Sequence, residues 1–189
     1  MTVIRLGTRG SQLALAQTRH VAQRLQKALP GCSCEIVVIR TKGDAVQDKA
    51  LHEIGGKGIF VQEIEEQILS GQVDVGVHSM KDMPAAPAEG LAFSRTWPRE
   101  DPRDVLVLRQ AASLAELPAG AVLATGSKRR AFQLNRLRPD LQVTGIRGNV
   151  DTRLRKMEEG AADGLVMAAA GLRRLGLAGR ITQYLDPES

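Results

Sequence analysis

The segment of this chain with the most chemically useful residue types is 78–84, His-Ser-Met-Lys-Asp-Met-Pro. It follows residues 73–77, an alternating apolar run that predicts a strand. Ligands of open α/β sheets bind in the loops that follow the carboxyl ends of the strands. We therefore expect Lys81 to hold an anion there, and Asp82 to stabilise a developing positive charge or to move a proton.

Other basic residues occupy comparable places, where a strand gives way to a helix or within a glycine-rich loop. In a doubly wound sheet such loops share one rim, where helix N-termini also present N–H groups and a positive dipole end. Guanidinium forks suit bidentate binding of carboxylate or phosphate, so two such rims facing each other across a hinge predict a cleft for a small polyanion. The residues in question are Arg9, Lys57, Lys81, Arg129, Arg130, Arg147 and Arg153, with hydroxyl donors from Ser11, Ser79 and Ser127.

Asp82 is the only acid that this strand-end argument places within the basic set, and a carboxylate among cations is expected to be ionised. Two alternatives remain open. Asp82 could instead cap the turn before Pro84, and each cation taken alone could be a solvated surface group. Arg129 and Arg130 open a helix, where cations oppose the dipole, and this favours a functional role for the pair.

The elements that must position these residues alternate between short strands and helices, which predicts an α/β fold with mostly parallel pairing. We expect strands at 3–6, 35–40, 73–77, 105–108, 122–125, 142–146 and 164–168. Helices are expected from Ser11 to about residue 29, along the face shared by Phe60, Ile64 and Ile68, at the capping box 113–116, over 128–137, from 147–153 to Gly160, and over 169–175.

Residues 97–104 contain two prolines and five charges without apolar periodicity, which is typical of a hinge or linker. We therefore expect domain 1 at 1–98, a hinge at 99–104 and domain 2 at 105–189.

The composition narrows the possible partners. The net charge of +5 and the pI near 9.6 could serve nucleic acid, a membrane surface or an acidic small molecule. Five aromatic residues and no helix-turn-helix or zinc pattern disfavour nucleic acid. No apolar run is long enough for a bilayer and no signal peptide is visible, so we predict a cytoplasmic protein. Cys32 and Cys34 are a weak metal signal, and we expect two ordinary thiols.

Six segments, in order along the chain, resemble the porphobilinogen deaminase (hydroxymethylbilane synthase) family: 5–15, 55–60, 78–84, 99–104, 126–130 and 146–153. The resemblance implies two periplasmic-binding-protein-like α/β domains joined by a hinge. It also implies a transferase of tetrapyrrole and heme biosynthesis, which condenses four porphobilinogen molecules into linear hydroxymethylbilane with loss of ammonia. The growing polypyrrole is expected to be built on a dipyrromethane cofactor. The protein itself is expected to be a monomer without nucleic-acid or membrane partners.

The resemblance also implies roles for individual residues. Asp82 corresponds to the catalytic aspartate, which stabilises a cationic azafulvene-like intermediate. The residues implied to bind the cofactor are Lys81, Ser127, Arg129, Arg130, Arg147 and Gly148. Those implied to bind the substrate are Arg9, Ser11, Arg153 and Lys57, the last in a loop that is mobile in the family.

Family members continue past Ser189, through a return segment that completes domain 1 and a third domain that is absent from this chain. The third domain holds the cysteine that bonds the cofactor, and Cys32 and Cys34 match no such position. The sequence is either a fragment or naturally short, and we expect this chain alone not to hold the cofactor covalently, so its own turnover is in question. A non-enzymatic two-domain anion-binding module would have the same fold and is the alternative function.

Overall fold

The computed structural model describes residues 2–45, 58–95 and 97–186. The chain divides into two compact units, Met1–Thr96 and Trp97–Ser189. Residues 97–104 therefore belong to the second unit. The roles of 1–98 as a domain that lacks a return segment, and of 99–104 as a hinge, stay predictions.

The first unit is built on a three-stranded parallel sheet in the order β2-β1-β3. Its strands are β1 (Thr2–Thr8), β2 (Cys32–Val38) and β3 (Val75–Gly76). Its helices are α1 (Gln12–Ala28), α2 (Lys42–Ala45) and α3 (Gln62–Leu69), and a 3-10 helix covers Met80–Asp82.

Local signals fix α1 and α3 where the sequence predicts helices, whereas α2 was not predicted. The Ser11 side chain accepts a hydrogen bond from the Ala14 N–H at 3.2 Å and so caps α1. The predicted apolar face of α3 contributes Ile64 to a small core with Ile39 and Val73. The third strand is shorter than predicted, because only Val75–Gly76 are in register with β1.

The second unit holds a five-stranded mixed sheet in the order β6-β5-β7-β4-β8. β5, β6 and β7 are parallel, whereas β4 runs antiparallel to β7 and β8. The strands are β4 (Asp104–Leu108), β5 (Val122–Ala124), β6 (Gln142–Thr144), β7 (Gly164–Ala168) and β8 (Gln183–Tyr184). The helices are α4 (Lys128–Leu137), α5 (Val150–Glu158) and α6 (Ala169–Arg174), with a 3-10 helix at Ala178–Arg180.

Both faces of this second sheet are covered. Val105 and Leu165 belong to one buried cluster, whereas the neighbouring Leu106 and Val166 belong to a second cluster on the opposite face. Successive side chains of a strand point to opposite faces, so central strands buried on both sides read as continuous apolar runs.

The predicted α/β fold with mostly parallel pairing is confirmed, but the helix predicted at 113–116 is wrong. There the Ser113 hydroxyl donates to Glu116 Oε1 at 3.1 Å, and the Leu114 N–H donates to Gln183 Oε1 at 2.7 Å. The box residues therefore stabilise a turn that is tied to β8 rather than a helix. Among the described residues, no helix is long and apolar enough to cross a membrane.

Candidate active site

The first unit carries a pocket at the carboxyl edge of its sheet. β1 and β3 are parallel neighbours, with Leu6 opposite Val75, so the loops that follow them meet at the same edge. The polar residues that line the pocket come from the loop after β1, from helix α1 and from the segment that follows β3. These include Arg9, Ser11, Gln17, His78, Ser79 and Asp82.

Asp82 stands at the end of a tight turn on the rim of this pocket. It is the last residue of the 3-10 helix Met80–Asp82, and its N–H donates to the Ser79 carbonyl at 2.9 Å. Its side chain is exposed, and within the described part of the chain it has no hydrogen-bond partner and caps no turn. The preceding residue, Lys81, is exposed as well. The carboxylate is therefore accessible from solvent at the rim of the pocket.

Arg9 lies in the same pocket but is paired with an acid. Its Nε lies 3.1 Å from both oxygens of Asp44, and one of its terminal nitrogens also bonds that carboxylate. The guanidinium carbon sits 3.9 Å above the centre of the Phe60 ring, which is a cation–π arrangement. The Thr41 hydroxyl donates to the second Asp44 oxygen at 2.8 Å.

Asp44 corrects the prediction that Asp82 is the only acid within the basic set. Burial raises the pKa of Asp44, but the hydrogen bonds from Arg9 and Thr41 and the charge of Arg9 outweigh it and hold the pKa below its usual range. Asp44 is therefore ionised at neutral pH. Its sequence position, 35 residues from Arg9, gave no sign of the pairing.

His78 is held neutral beside these groups. Burial is the larger cause and the charge of Arg9 the smaller, and together they lower the pKa of His78 to about 4. Next to it, the Ser79 hydroxyl donates to Gln17 Oε1 at 3.0 Å. A neutral imidazole can donate or accept a hydrogen bond, but it adds no positive charge to the pocket at neutral pH.

The second unit gathers its own cations at the N-terminus of α4. Ser127 caps that helix by accepting from the Arg130 N–H. Asp104, the first residue of β4, accepts from Arg129 and from Arg130 at 2.7 Å each. This carboxylate offsets two cations that would otherwise oppose the helix dipole, so Asp104 is a second acid that the sequence argument missed.

Arg129 and Arg130 differ in their exposure and in their hydrogen bonding. Arg129 is exposed, and it also donates to Gln133 Oε1 at 2.8 Å. Arg130 is largely buried, and within the described residues its Nε has no hydrogen-bond partner. For Asp104, burial raises the pKa, but the hydrogen bond and charge of Arg130, followed by those of Arg129, lower it below its usual range.

A third arginine in this unit is oriented by a glycine turn. Gly148 has a φ of +114°, and a Cβ there would lie 2.6 Å from Thr152 Cγ2, so only glycine fits. The Gly148 carbonyl accepts from Arg153 Nε at 2.7 Å. The neighbouring Arg147 offers its carbonyl to Lys156 Nζ at 3.3 Å.

The remaining predicted residues divide into those outside and those inside the described structure. Lys57 lies outside the described residues. Cys32 and Cys34 lie in β2 as free thiols, away from the pocket. Burial and the neighbouring Cys32 raise the pKa of Cys34, which keeps its thiol protonated. Within the described residues there is no group of three or more metal-ligating side chains.

Comparison with known families decides the relationship. A family model described as "Porphobilinogen deaminase, dipyromethane cofactor binding domain" matches residues 4–189. The chain belongs to the porphobilinogen deaminase family. The resemblance predicted from the six sequence segments is thereby confirmed.

Curated relatives agree over nearly the whole chain. A porphobilinogen deaminase of Lachnospira eligens is 59% identical over 186 residues, which cover 97% of this chain and 63% of that protein. One of Clostridioides difficile is 54% identical over 181 residues, which cover 95% of this chain and 60% of that protein. The chain therefore spans about three fifths of the length of these porphobilinogen deaminases.

Solved structures show the fold. The methionine-binding protein MetQ matches with a TM-score of 0.55 at 17% identity, over 99% of this chain and 79% of that chain. A periplasmic substrate-binding protein from Coxiella burnetii matches with a TM-score of 0.54 at 15% identity, over 98% and 80%. The predicted periplasmic-binding-protein type of fold is confirmed.

Proposed function

We propose that the chain supplies the catalytic aspartate and the carboxylate-binding cations of a hydroxymethylbilane synthase. The reaction condenses four porphobilinogen molecules into linear hydroxymethylbilane and belongs to tetrapyrrole and heme biosynthesis. The observation that carries the proposal is the pocket of the first unit, where Arg9, Ser11 and Asp82 lie together in a chain of this family.

The proposed reaction requires a carboxylate that stabilises a positively charged intermediate. In each addition the aminomethyl carbon of porphobilinogen loses ammonia and forms a carbon–carbon bond to the free α-carbon of another pyrrole, which releases a proton. Loss of ammonia leaves a positive charge spread over the pyrrole, and the exposed carboxylate of Asp82 stabilises that charge. Water adds to the last unit, so four substrates and one water yield one product and four ammonia.

Arg9, the charged base that lines the pocket, suits the rest of the substrate. Porphobilinogen carries an acetate and a propionate side chain, and both are ionised at neutral pH. Arg9 has N–H groups beyond those that Asp44 engages, because a guanidinium carries five donors. The Ser11 oxygen accepts from Ala14, which leaves its hydroxyl proton for a substrate carboxylate. We propose that Lys57, and Arg153 of the second unit, are also carboxylate-binding residues.

The donor set of the second unit fits a dipyrromethane cofactor with carboxylate side chains. The observation that supports this fit is the buried Nε of Arg130, which lacks a partner among the described residues. When bound, the cofactor supplies the primer from which the polypyrrole grows. The residues of this unit that would hold it are Ser127, Arg129, Arg130, Arg147 and Gly148. Neither Cys32 nor Cys34 lines the pocket, and we propose that neither is the attachment cysteine.

The proposal includes a cytoplasmic monomer that acts on a small molecule and binds neither nucleic acid nor membrane. The absence of a spanning helix among the described residues is compatible with it. Light scattering on the purified protein tests the oligomeric state, and the mass of a dimer would contradict the proposed monomer.

The function is tested with porphobilinogen and two proteins, the product of the complete gene and the 189-residue chain by itself. Intact mass and released ammonia are measured for both. We expect a covalent adduct and ammonia release from the complete product, and no covalent adduct on the 189-residue chain. A complete product that stays unmodified and releases no ammonia would refute the assignment.

A further inference from the structure

The pairing of Arg9 with Asp44 assigns a role to a residue outside the predicted site. Arg9 presents its Nε edge to Asp44. Both carboxylate oxygens accept from Nε, and the carboxylate also accepts from one terminal nitrogen of the guanidinium. We propose that Asp44 is a positioning residue for Arg9, which fixes the guanidinium so that its remaining N–H groups meet a substrate carboxylate. This inference rests on the proposed function of the same pocket.

The carboxylate of Asp44 is itself held from two sides. The Thr41 hydroxyl donates to Asp44 Oδ2 at 2.8 Å, and the Asp44 N–H donates to the Thr41 carbonyl at 3.0 Å. Asp44 therefore cannot rotate away without losing bonds to both Thr41 and Arg9. The acid is a fixed point to which the arginine is attached, rather than a surface partner that happens to be near.

The Phe60 ring completes the restraint from below. It stacks 3.9 Å from the Arg9 guanidinium carbon, and it packs so closely on Gly43 that a Cβ there would overlap the ring. The Gly43 N–H also donates to the Ile59 carbonyl at 3.0 Å, which joins the chain before Asp44 to the chain before Phe60. Three distant sequence segments thus converge to hold one side chain.

A fixed arginine binds an anion at lower entropic penalty than a freely rotating one. Arginine has many rotamers, and pre-organisation reduces the freedom lost for each hydrogen bond that it forms. The acetate and propionate of porphobilinogen keep their charge throughout the reaction, so Arg9 binds ground state and transition state alike. Loss of Asp44 should therefore raise KM for porphobilinogen and leave kcat nearly unchanged.

The chain offers a closely matched control. Asp74 binds Arg5 through a similar two-pronged pairing, also between a β1-side arginine and an aspartate of the first unit. The Arg5–Asp74 side chains are 37% and 40% exposed and do not line the pocket, whereas the Arg9–Asp44 side chains are 19% and 22% exposed. Asp74→Asn removes an equivalent ion pair without touching the proposed carboxylate site.

The kinetic experiment compares Asp44→Ala, Asp44→Asn, Thr41→Val and Asp74→Asn in the product of the complete gene. We expect Asp44→Ala to raise KM by about tenfold with kcat within about threefold of the parent, the loss of roughly one charge-assisted contact. Asp44→Asn retains an acceptor oxygen, so its KM should lie between those of the parent and Asp44→Ala. Thr41→Val should raise KM by about twofold. Asp74→Asn should leave both constants unchanged.

A binding experiment keeps this inference separate from the proposed reaction. Calorimetry measures the affinity of a pyrrole that carries acetate and propionate but lacks the aminomethyl group, so no turnover is needed. Asp44→Ala should weaken this affinity by about tenfold and Asp74→Asn should not. If no ammonia is released but the affinities follow this pattern, the proposed reaction is refuted and the positioning role of Asp44 is supported. Equal binding by all variants, or a KM unchanged in Asp44→Ala while its melting temperature falls, overturns the positioning role.

Discussion

Replacement of Asp104 by asparagine should destabilise the second unit measurably. The Asp104–Arg129 bond is at the surface, because 61% of the Arg129 side chain is exposed, and such pairs contribute about 0–1 kcal/mol. The Asp104–Arg130 bond is largely buried, with 12% of Arg130 exposed, and a hydrogen bond to a charged group contributes about 1.5–3 kcal/mol. Asparagine retains one acceptor oxygen but no charge, so we expect a loss of about 2–3 kcal/mol.

Thermal unfolding followed by circular dichroism checks this magnitude. For a unit the size of Trp97–Ser189, each kcal/mol shifts the melting temperature by about 4–8 °C, so Asp104→Asn should lower it by roughly 10–20 °C. The control is Glu159→Gln, which removes an exposed partner of Arg155 four residues away on α5. That pair should contribute only about 0.2–0.5 kcal/mol.

The pH dependence of this difference follows from the lowered pKa of Asp104. Burial opposes the shift, but Arg130 and Arg129 keep the folded-state pKa below the unfolded value of about 3.9. The stabilisation is therefore present above about pH 4 and is lost as the pH falls through the folded pKa. The gap between parent and Asp104→Asn should close in acid. A melting temperature within about 2 °C of the parent at pH 7 would refute the reasoning.

Two further predictions concern single residues of the two units. Gly148→Ala should cost about 1–3 kcal/mol in denaturant unfolding, because it strains a φ of +114° and overlaps Thr152; an unchanged midpoint would contradict the turn. The imidazole of His78 should titrate near pH 4 in NMR, so that its contribution to stability is full above about pH 6.5 and declines as the pH falls toward 4. A His78 midpoint near 6.5 would show that burial and the charge of Arg9 do not act on it.

Local signals account for the parts of the structure that the sequence predicted well. Ser11 and Ser127 each cap the helix that follows, because a hydroxyl before an apolar period satisfies a free N–H of the first turn. Gly160, with a φ of +94°, lies just beyond the end of α5. β7 matches its prediction at both ends because it is a continuous apolar run after a turn.

Interactions between distant residues account for what the sequence did not predict. Arg9 meets Asp44 across 35 residues and Arg130 meets Asp104 across 26, and no local pattern encodes either pair. The wrong helix at 113–116 has the same cause, because Gln183 of the short strand β8 takes the Leu114 N–H. Arg9 does line a pocket at a strand end, and Arg129 and Arg130 do open α4, but no local pattern indicated which acids pair with them.

The proposed chemistry depends on Asp82 stabilising a positive charge in a pocket where Arg9 binds a carboxylate. The decisive comparison is Asp82→Asn against the parent in the product of the complete gene, with ammonia release under saturating porphobilinogen and affinity for the unreactive pyrrole both measured. We predict that release slows by about 100-fold or more, while affinity changes less than about threefold. Release at the parent rate, or a loss confined to affinity, would contradict the role of Asp82.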